Sequence, residues 1–285
     1  MKRPLSVIHR GRTGNRLFQY LFCAELARRA GTHVVTGVHI PDMGISTPPG
    51  PADTDGFLHF EGRHAFDLAG MAEALRTGPH PGATFIGYAA RIEYYHRDRC
   101  RELLNLNPGH GAGFGPEFLV INIRAGDIVR GPTPELMSTG YGRPYRLSDL
   151  YDGVHPDYRP LPVSFYERLV RETRLKPVFV GETGSHKEYE SALRQRFPDA
   201  VFTGRRTPRE DFLTLMGSAN LVLAVSTFSW LAGWFSEART IHLPIAGFLD
   251  PVQRPDVNLI PPASDARYIH HPFPRIRWEG TADQI

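Results

Sequence analysis

Three short segments place polar and charged side chains where a parallel strand would end and a helix begin. They are Gly11-Arg12-Thr13-Gly14-Asn15, Asn122-Ile123-Arg124-Ala125-Gly126-Asp127 and Ser226-Thr227-Phe228-Ser229-Trp230. In open parallel sheets, ligands collect at the carboxyl ends of strands. The glycines of the first segment let a backbone approach closely, and a helix start favours an anion. Its spacing is neither the dinucleotide GxGxxG nor the P-loop GxxxxGK[ST], so taken alone it also reads as a structural tight turn. In the second segment Arg124 follows an apolar run. A guanidinium is permanently charged and matches phosphate oxygens bidentately; the alternative is a structural Arg124–Asp127 ion pair. The third offers hydroxyls and N–H groups at a helix start, which suits phosphate or ordinary capping.

Other candidates are weaker chemistry. Asp53-Thr54-Asp55 has the Asp-x-Asp form of a metal-binding pair, but it lies in a Pro- and Gly-rich loop with no strand before it. The histidines, among them His9, His33, His242, His270 and His271, show no metal-ligand spacing, and no GxSxG elbow is present. No metal and no cofactor is expected. Cys23 and Cys100 lack metal or CxxC spacing and read as free thiols of a reducing compartment.

The elements that would position these residues alternate between strand and helix signals. In the first half, Leu5–His9 reads as a strand, Leu17–Arg29 as a helix stopped by Gly31, and Val34-Val35 as a second strand. Residues 41–60 read as a long loop, Leu68–Leu75 as a helix, Phe85–Tyr88 as a strand end and Tyr94–Leu106 as a helix. Asn107–Pro116, with four glycines and two prolines, is the candidate linker. Beyond it, strands at Phe118–Ile123, Pro177–Gly181, Ala200–Phe202, Leu221–Val225 and, last, Thr240–Leu243 alternate with helices. This is a parallel, Rossmann-like half. The expected domains are 1–110 and 111–285, with the proline-rich tail after Asp250 packing back on the first. Gly131–Pro162 is too long for a simple connection. Its Tyr141, Tyr145 and Tyr151 could stack on sugar rings.

Composition narrows the class. Hydrophobic residues at 41% and charged residues at 22% match an ordinary globular chain, which argues against disorder throughout. A net charge of +3 over 285 residues is too weak to predict a nucleic-acid partner. No secretory or membrane-spanning stretch is read, so a cytoplasmic location is expected, with room for peripheral membrane association.

Taken together and in order, the segments resemble the α-1,2-fucosyltransferase family and its wider fucosyltransferase relatives. Gly14-Asn15-Arg16-Leu17-Phe18-Gln19-Tyr20 is similar to that family's opening run. Asn122, Arg124, Gly126 and Asp127 fall on its His-x-Arg-Arg-Gly-Asp hallmark. Glu210-Asp211-Phe212-Leu213 and Ser226-Thr227-Phe228-Ser229-Trp230 fall on its third. Three positions depart: Asn122 replaces the histidine, Ala125 the second arginine, and Leu231 a second tryptophan. The resemblance implies a GT-B-like fold, two Rossmann-type domains facing a cleft. It also implies inverting, metal-independent transfer from GDP-fucose to a glycan or natural-product hydroxyl. The first domain would lie on the acceptor side. Arg124 would neutralise the diphosphate. Thr227, Phe228 and Ser229, with Ser226, would bind phosphate, and Asp211 would face guanine. Gly14, Asn15 and Asn122 would complete the donor site. The base is left open among Asp127, Glu93 and Glu25, beside a mechanism in which the leaving phosphate takes the proton. Because of Asn122 and Ala125, a non-catalytic nucleotide- or sugar-binding protein and a transferase for another nucleotide sugar stay as alternatives.

Overall fold

The computed structural model describes residues 2–106, 113–125, 159–182 and 187–274. Asp127, Tyr141, Tyr145, Tyr151 and most of the Gly131–Pro162 segment lie outside these residues, as does most of the expected linker. The described chain forms two compact units. One runs through Leu106 and includes Asp256–Leu259; the other holds the rest.

The first unit is built on β1 (Arg3–Val7), β2 (His33–Thr36), β5 (Leu58–Glu61) and β6 (Ala83–Ile86), in the order β2-β1-β6-β5, all parallel. A two-stranded hairpin, β3 (His39–Ile40) with β4 (Ile45–Ser46), sits apart. Helix α1 (Thr13–Ala30) buries Leu17, Phe18, Leu21, Phe22 and Leu26. It stops at Gly31, whose φ of 73° is left-handed. Phe22 is the hub of the core, with its ring centre 4.9–5.3 Å from those of Phe66, Phe85 and Tyr94. Helices α2 (Leu68–Thr77) and α3 (Arg97–Leu103) complete the unit. Asp256–Leu259 joins it through backbone pairing of Asn258 with Ala90 and Ile92.

Among its described residues the second unit carries six parallel strands: β7 (Phe118–Arg124), β8 (Lys176–Glu182), β9 (Val201–Phe202), β10 (Asn220–Val222), β11 (Thr240–Ile245) and β12 (Tyr268–Pro272). Their order is β12-β11-β10-β7-β8-β9. Counted from β7 this is 6-5-4-1-2-3, the doubly wound dinucleotide-binding order, with its reversal between β7 and β10. The intervening helices are α4 (Val163–Thr173), α5 (Lys187–Arg196), α6 (Pro208–Gly217) and α7 (Thr227–Phe235). Both units are α/β on parallel, Rossmann-type sheets, in agreement with the GT-B-like class.

Two element readings need correction. Residues 41–60 are not one loop, because β5 begins at Leu58 and pairs with β6. Thr240–Leu243 is not the last strand, because β12 follows and pairs with β11. Both missed strands are sheet edges, and edges carry a mixed, half-exposed sequence in place of an apolar run. Leu58–Glu61 alternates half-buried and exposed positions, and Tyr268–Pro272 buries only Tyr268.

Candidate functional site

The second unit's site is assembled from the ends of β7 and β10. Leu119, Val120, Ile121 and Ile123 anchor β7 in the core at 3% exposure or less, which fixes where Arg124 emerges. Its partner β8 closes up tightly there. Gly181 has φ +105°, and a Cβ on it would lie 2.4 Å from the Ile123 carbonyl oxygen, so only glycine fits. Past β10, Ser226 caps α7. Its Oγ accepts from the Ser229 N–H at 3.5 Å and from Arg124 Nη1 at 3.0 Å. Residues 102 apart in sequence therefore meet at the reversal of strand order, where doubly wound sheets bind ligands.

The α7 start brings a cation, a hydroxyl and helix N–H groups together. Thr227 and Phe228 open the helix, where no preceding carbonyl serves their N–H groups in the ladder. No acidic residue stands in its first turn. The arrangement suits an anion with several oxygens. The Ser229 side chain is engaged within the fold. Its side chain is fully buried, and its Oγ accepts from the Ala224 N–H at 3.0 Å, so it ties the helix back to the strand.

Asp211 lies in α6, beginning under a Thr207–Glu210 capping box. Phe212 meets Phe228 edge to face at 5.2 Å, which couples α6 to the α7 start. The Asp211 carboxylate stands 3.9 Å from Arg206 Nε. Asn122 is buried in β7, and its amide nitrogen donates to the Val180 carbonyl at 3.1 Å. That nitrogen is engaged with β8.

The first unit has its own strand-end cluster. Gly14 and Asn15 lie in the first turn of α1, Gly14 buried. Gly11 before them has φ +72°, with Asn15 packed against its open side. The Arg12 side chain forms no cap on α1. Gln19 sits fully buried one turn further on and reaches back to the loop, binding both His9 and the Arg10 backbone. His9 and Gln19 escape a reading by spacing. The available signal is a carboxamide inside an apolar helical stripe, which must find polar partners.

Two of the three carboxylates named as bases, Glu93 and Glu25, are engaged elsewhere, and Asp127 lies outside the described residues. Glu93 pairs with Arg91 at 2.5 Å and accepts from Asn258 at 3.0 Å. Glu25 is held by Arg28, Arg29 and Arg99. Burial alone would raise its pKa, but the arginine hydrogen bonds and charges bring it down to about 2, too acidic for a base. In the Asp-x-Asp segment, Asp53 accepts from the Asp55 N–H in an exposed turn. Among the described residues no group of three metal-ligating side chains occurs, and no helix is long and apolar enough to cross a membrane.

No family model matches the sequence, and no curated protein matches it. Among solved structures, the chain is similar to a mutant of FUT1 from Arabidopsis thaliana in complex with GDP. The identity is 11%, over 85% of this chain and 70% of that one, with a TM-score of 0.40. The chemistry of the site rests on its own residues.

Proposed function

We propose that this chain is an inverting, metal-independent glycosyltransferase that moves a sugar, fucose, from a GDP-sugar to a hydroxyl of a glycan or natural product. The observation that carries this reading is the Arg124–Ser226 hydrogen bond across the strand-order reversal of the second unit. It pre-sets a guanidinium beside a helix start, which is what a departing diphosphate needs. Charge develops on the leaving oxygens, and donors already in place stabilise it without reorganisation. Arg124 takes the role a metal plays elsewhere. The N–H groups of Thr227 and Phe228 add donors to the same phosphate. Asp211 faces guanine, where one carboxylate accepts from both N1–H and the 2-amino group. The Gly14–Tyr20 and Ser226–Trp230 motifs support fucose as the sugar.

GDP-fucose turnover is the test. The chain is expected to release GDP from GDP-fucose at a rate that a chelator leaves unchanged. In a thermal-shift panel of GDP, UDP, ADP and CMP, GDP is expected to give the largest stabilisation. A larger shift with another nucleotide would reassign the donor, and GDP binding without any turnover would reassign the chain to a binding protein.

A further inference from the structure

A nucleobase differs from its rivals in the order of donors and acceptors along its pairing edge. Guanine presents one acceptor and then two donors: O6, N1–H and the 2-amino group. In the proposed donor site the Asp211 carboxylate accepts from the two donors. It cannot serve O6, because an ionised carboxylate only accepts. Asn122 does not fill the gap. Its amide nitrogen is given to the Val180 carbonyl at 3.1 Å. A full reading of guanine therefore needs a donor beside Asp211.

Arg206 stands there. It lies in the short loop from β9 to α6, and both ends of that loop are pinned. Thr203 gives its N–H and its hydroxyl to the Phe179 carbonyl of β8, at 3.1 and 3.3 Å. Thr207 caps α6. Its Oγ1 accepts from the Glu210 N–H at 3.3 Å, while Glu210 Oε2 accepts from the Thr207 N–H and hydroxyl, each at 2.8 Å. Only Gly204, Arg205 and Arg206 span the gap between these pins. The Arg206 guanidinium turns toward the helix start. Its Nη2 donates to the Glu210 carbonyl at 3.4 Å, and its Nε stands 3.9 Å from Asp211 Oδ1. At that distance the two charges attract with no hydrogen bond between them. A guanidinium carries five N–H groups, so donors remain to be given. The pair is partly buried, with side chains 24% and 14% exposed. There a charge-assisted hydrogen bond is stronger than in open water.

We infer that Arg206 reads guanine O6 beside Asp211, and that the two side chains together choose the base. This rests on the GDP-sugar reading and lies wholly within the second unit. Arg206 donates to O6 while Asp211 accepts from N1–H and the 2-amino group. O6 and N1–H are neighbours on the ring, so their partners must be neighbours too, as a cation 3.9 Å from a carboxylate is. Phe212, next to Asp211, meets Phe228 of the α7 start at 5.2 Å, which holds the base-reading turn beside the phosphate-binding one. The same pair rejects the other bases. Adenine turns its 6-amino donor to Arg206 and its N1 lone pair to Asp211, so each group meets its like. Cytosine fails in the same way and adds a carbonyl against the carboxylate. Uracil matches at O4 and N3–H but sets its O2 against Asp211. Polar groups left unpaired in a partly buried site discriminate more sharply than a lost apolar contact.

The test is calorimetric titration at pH 7 with three nucleotides that differ by one group. GDP is the reference, IDP lacks the 2-amino group, and 6-thio-GDP puts a weakly accepting sulfur in the place of O6. The unmodified chain is expected to prefer GDP roughly 10-fold over each, the worth of one charge-assisted hydrogen bond. Arg206→Ala is expected to bring the preference over 6-thio-GDP close to one and to keep the preference over IDP. Asp211→Ala is expected to lose the preference over IDP. Arg206→Lys keeps a donor and is expected to recover part of the preference over 6-thio-GDP. Melting of the free chains checks that each variant is folded. Arg206→Met, which keeps the packing of the stem without a donor, carries the test if the alanine chain is not. An Arg206→Ala or Arg206→Met chain that keeps the full preference over 6-thio-GDP, including one that weakens all three nucleotides by a single factor, would overturn the assignment and leave the pair a structural contact. An unmodified chain that binds GDP and 6-thio-GDP equally would overturn it too. Failure of the donor reading is distinct, because the unmodified chain would then bind none of the three, and the base reading would fall with it.

Discussion

The two units present parallel strands with opposite electrostatic dress. At the end of β7 the second unit sets a permanent cation, Arg124, against a hydroxyl and a helix start. At the end of β1 the first unit sets a neutral imidazole against a carboxamide. One edge offers donors that suit an anion. The other holds a neutral hydrogen-bonded pair, His9 with Gln19. Both clusters lie at strand ends, where the side chain sets the chemistry and the sheet sets its position.

The contrast is open to breaking, beginning with its cationic side. Arg124→Ala removes a pre-set donor from the diphosphate, and kcat/KM for GDP-fucose is expected to fall about 1,000-fold. Arg124→Lys keeps the charge without the fork and is expected to fall between. An alanine variant of normal rate would take Arg124 out of the mechanism. His9→Gln, by contrast, is expected to spare GDP binding. If both variants lost GDP binding equally, the two edges would not be doing separate work.

Stability separates the edges further. Gly181→Ala forces a left-handed φ and a clash with the Ile123 carbonyl, and is expected to cost about 3 kcal/mol. Chemical denaturation reads that cost directly. Acid is expected to act on both units. His33 in the first and His242 in the second are buried, and burial lowers each pKa from 6.5 to about 4, helped by Arg3 and His80 for His33 and by His271 for His242. The unfolded chain then binds more protons between those values, so stability falls as pH drops from 6.5 to 4. The loss is on the order of 2 kcal/mol for each ring. His33→Gln or His242→Gln is expected to flatten that part of the pH–stability curve. The smallest effect is Ser226→Ala. Loss of the α7 cap is expected to cost about 1 kcal/mol.

The sequence shows the parts of this molecule that repeat a pattern. The apolar run through Val120 and Ile121 marks a strand buried on both faces, and Leu17 to Leu26 marks a helix with one apolar stripe, because burial demands such periods. The same logic misses β5 and β12, which lie at sheet edges and bury little. In the site, Arg124 and Ser226 are each visible, but their bond is set by strand order across 102 residues. The pairing of His242 with His271, 2.9 Å apart, is hidden for the same reason. His9 and Gln19 are close in sequence, yet ten residues match no helical or strand period. Only the return of α1 over β1 makes them neighbours.

The most direct measurement is a GDP titration followed by thermal unfolding, on the wild-type chain and on Arg124→Ala. Saturation to about 100 times Kd is worth about 2.7 kcal/mol, which for a chain of this size is expected to raise the wild-type Tm by about 4–5 °C. Arg124→Ala is expected to fold normally and lose most of that shift. A wild-type chain that GDP does not stabilise, or an Arg124→Ala chain stabilised as strongly as wild type, would contradict a diphosphate site at the end of β7.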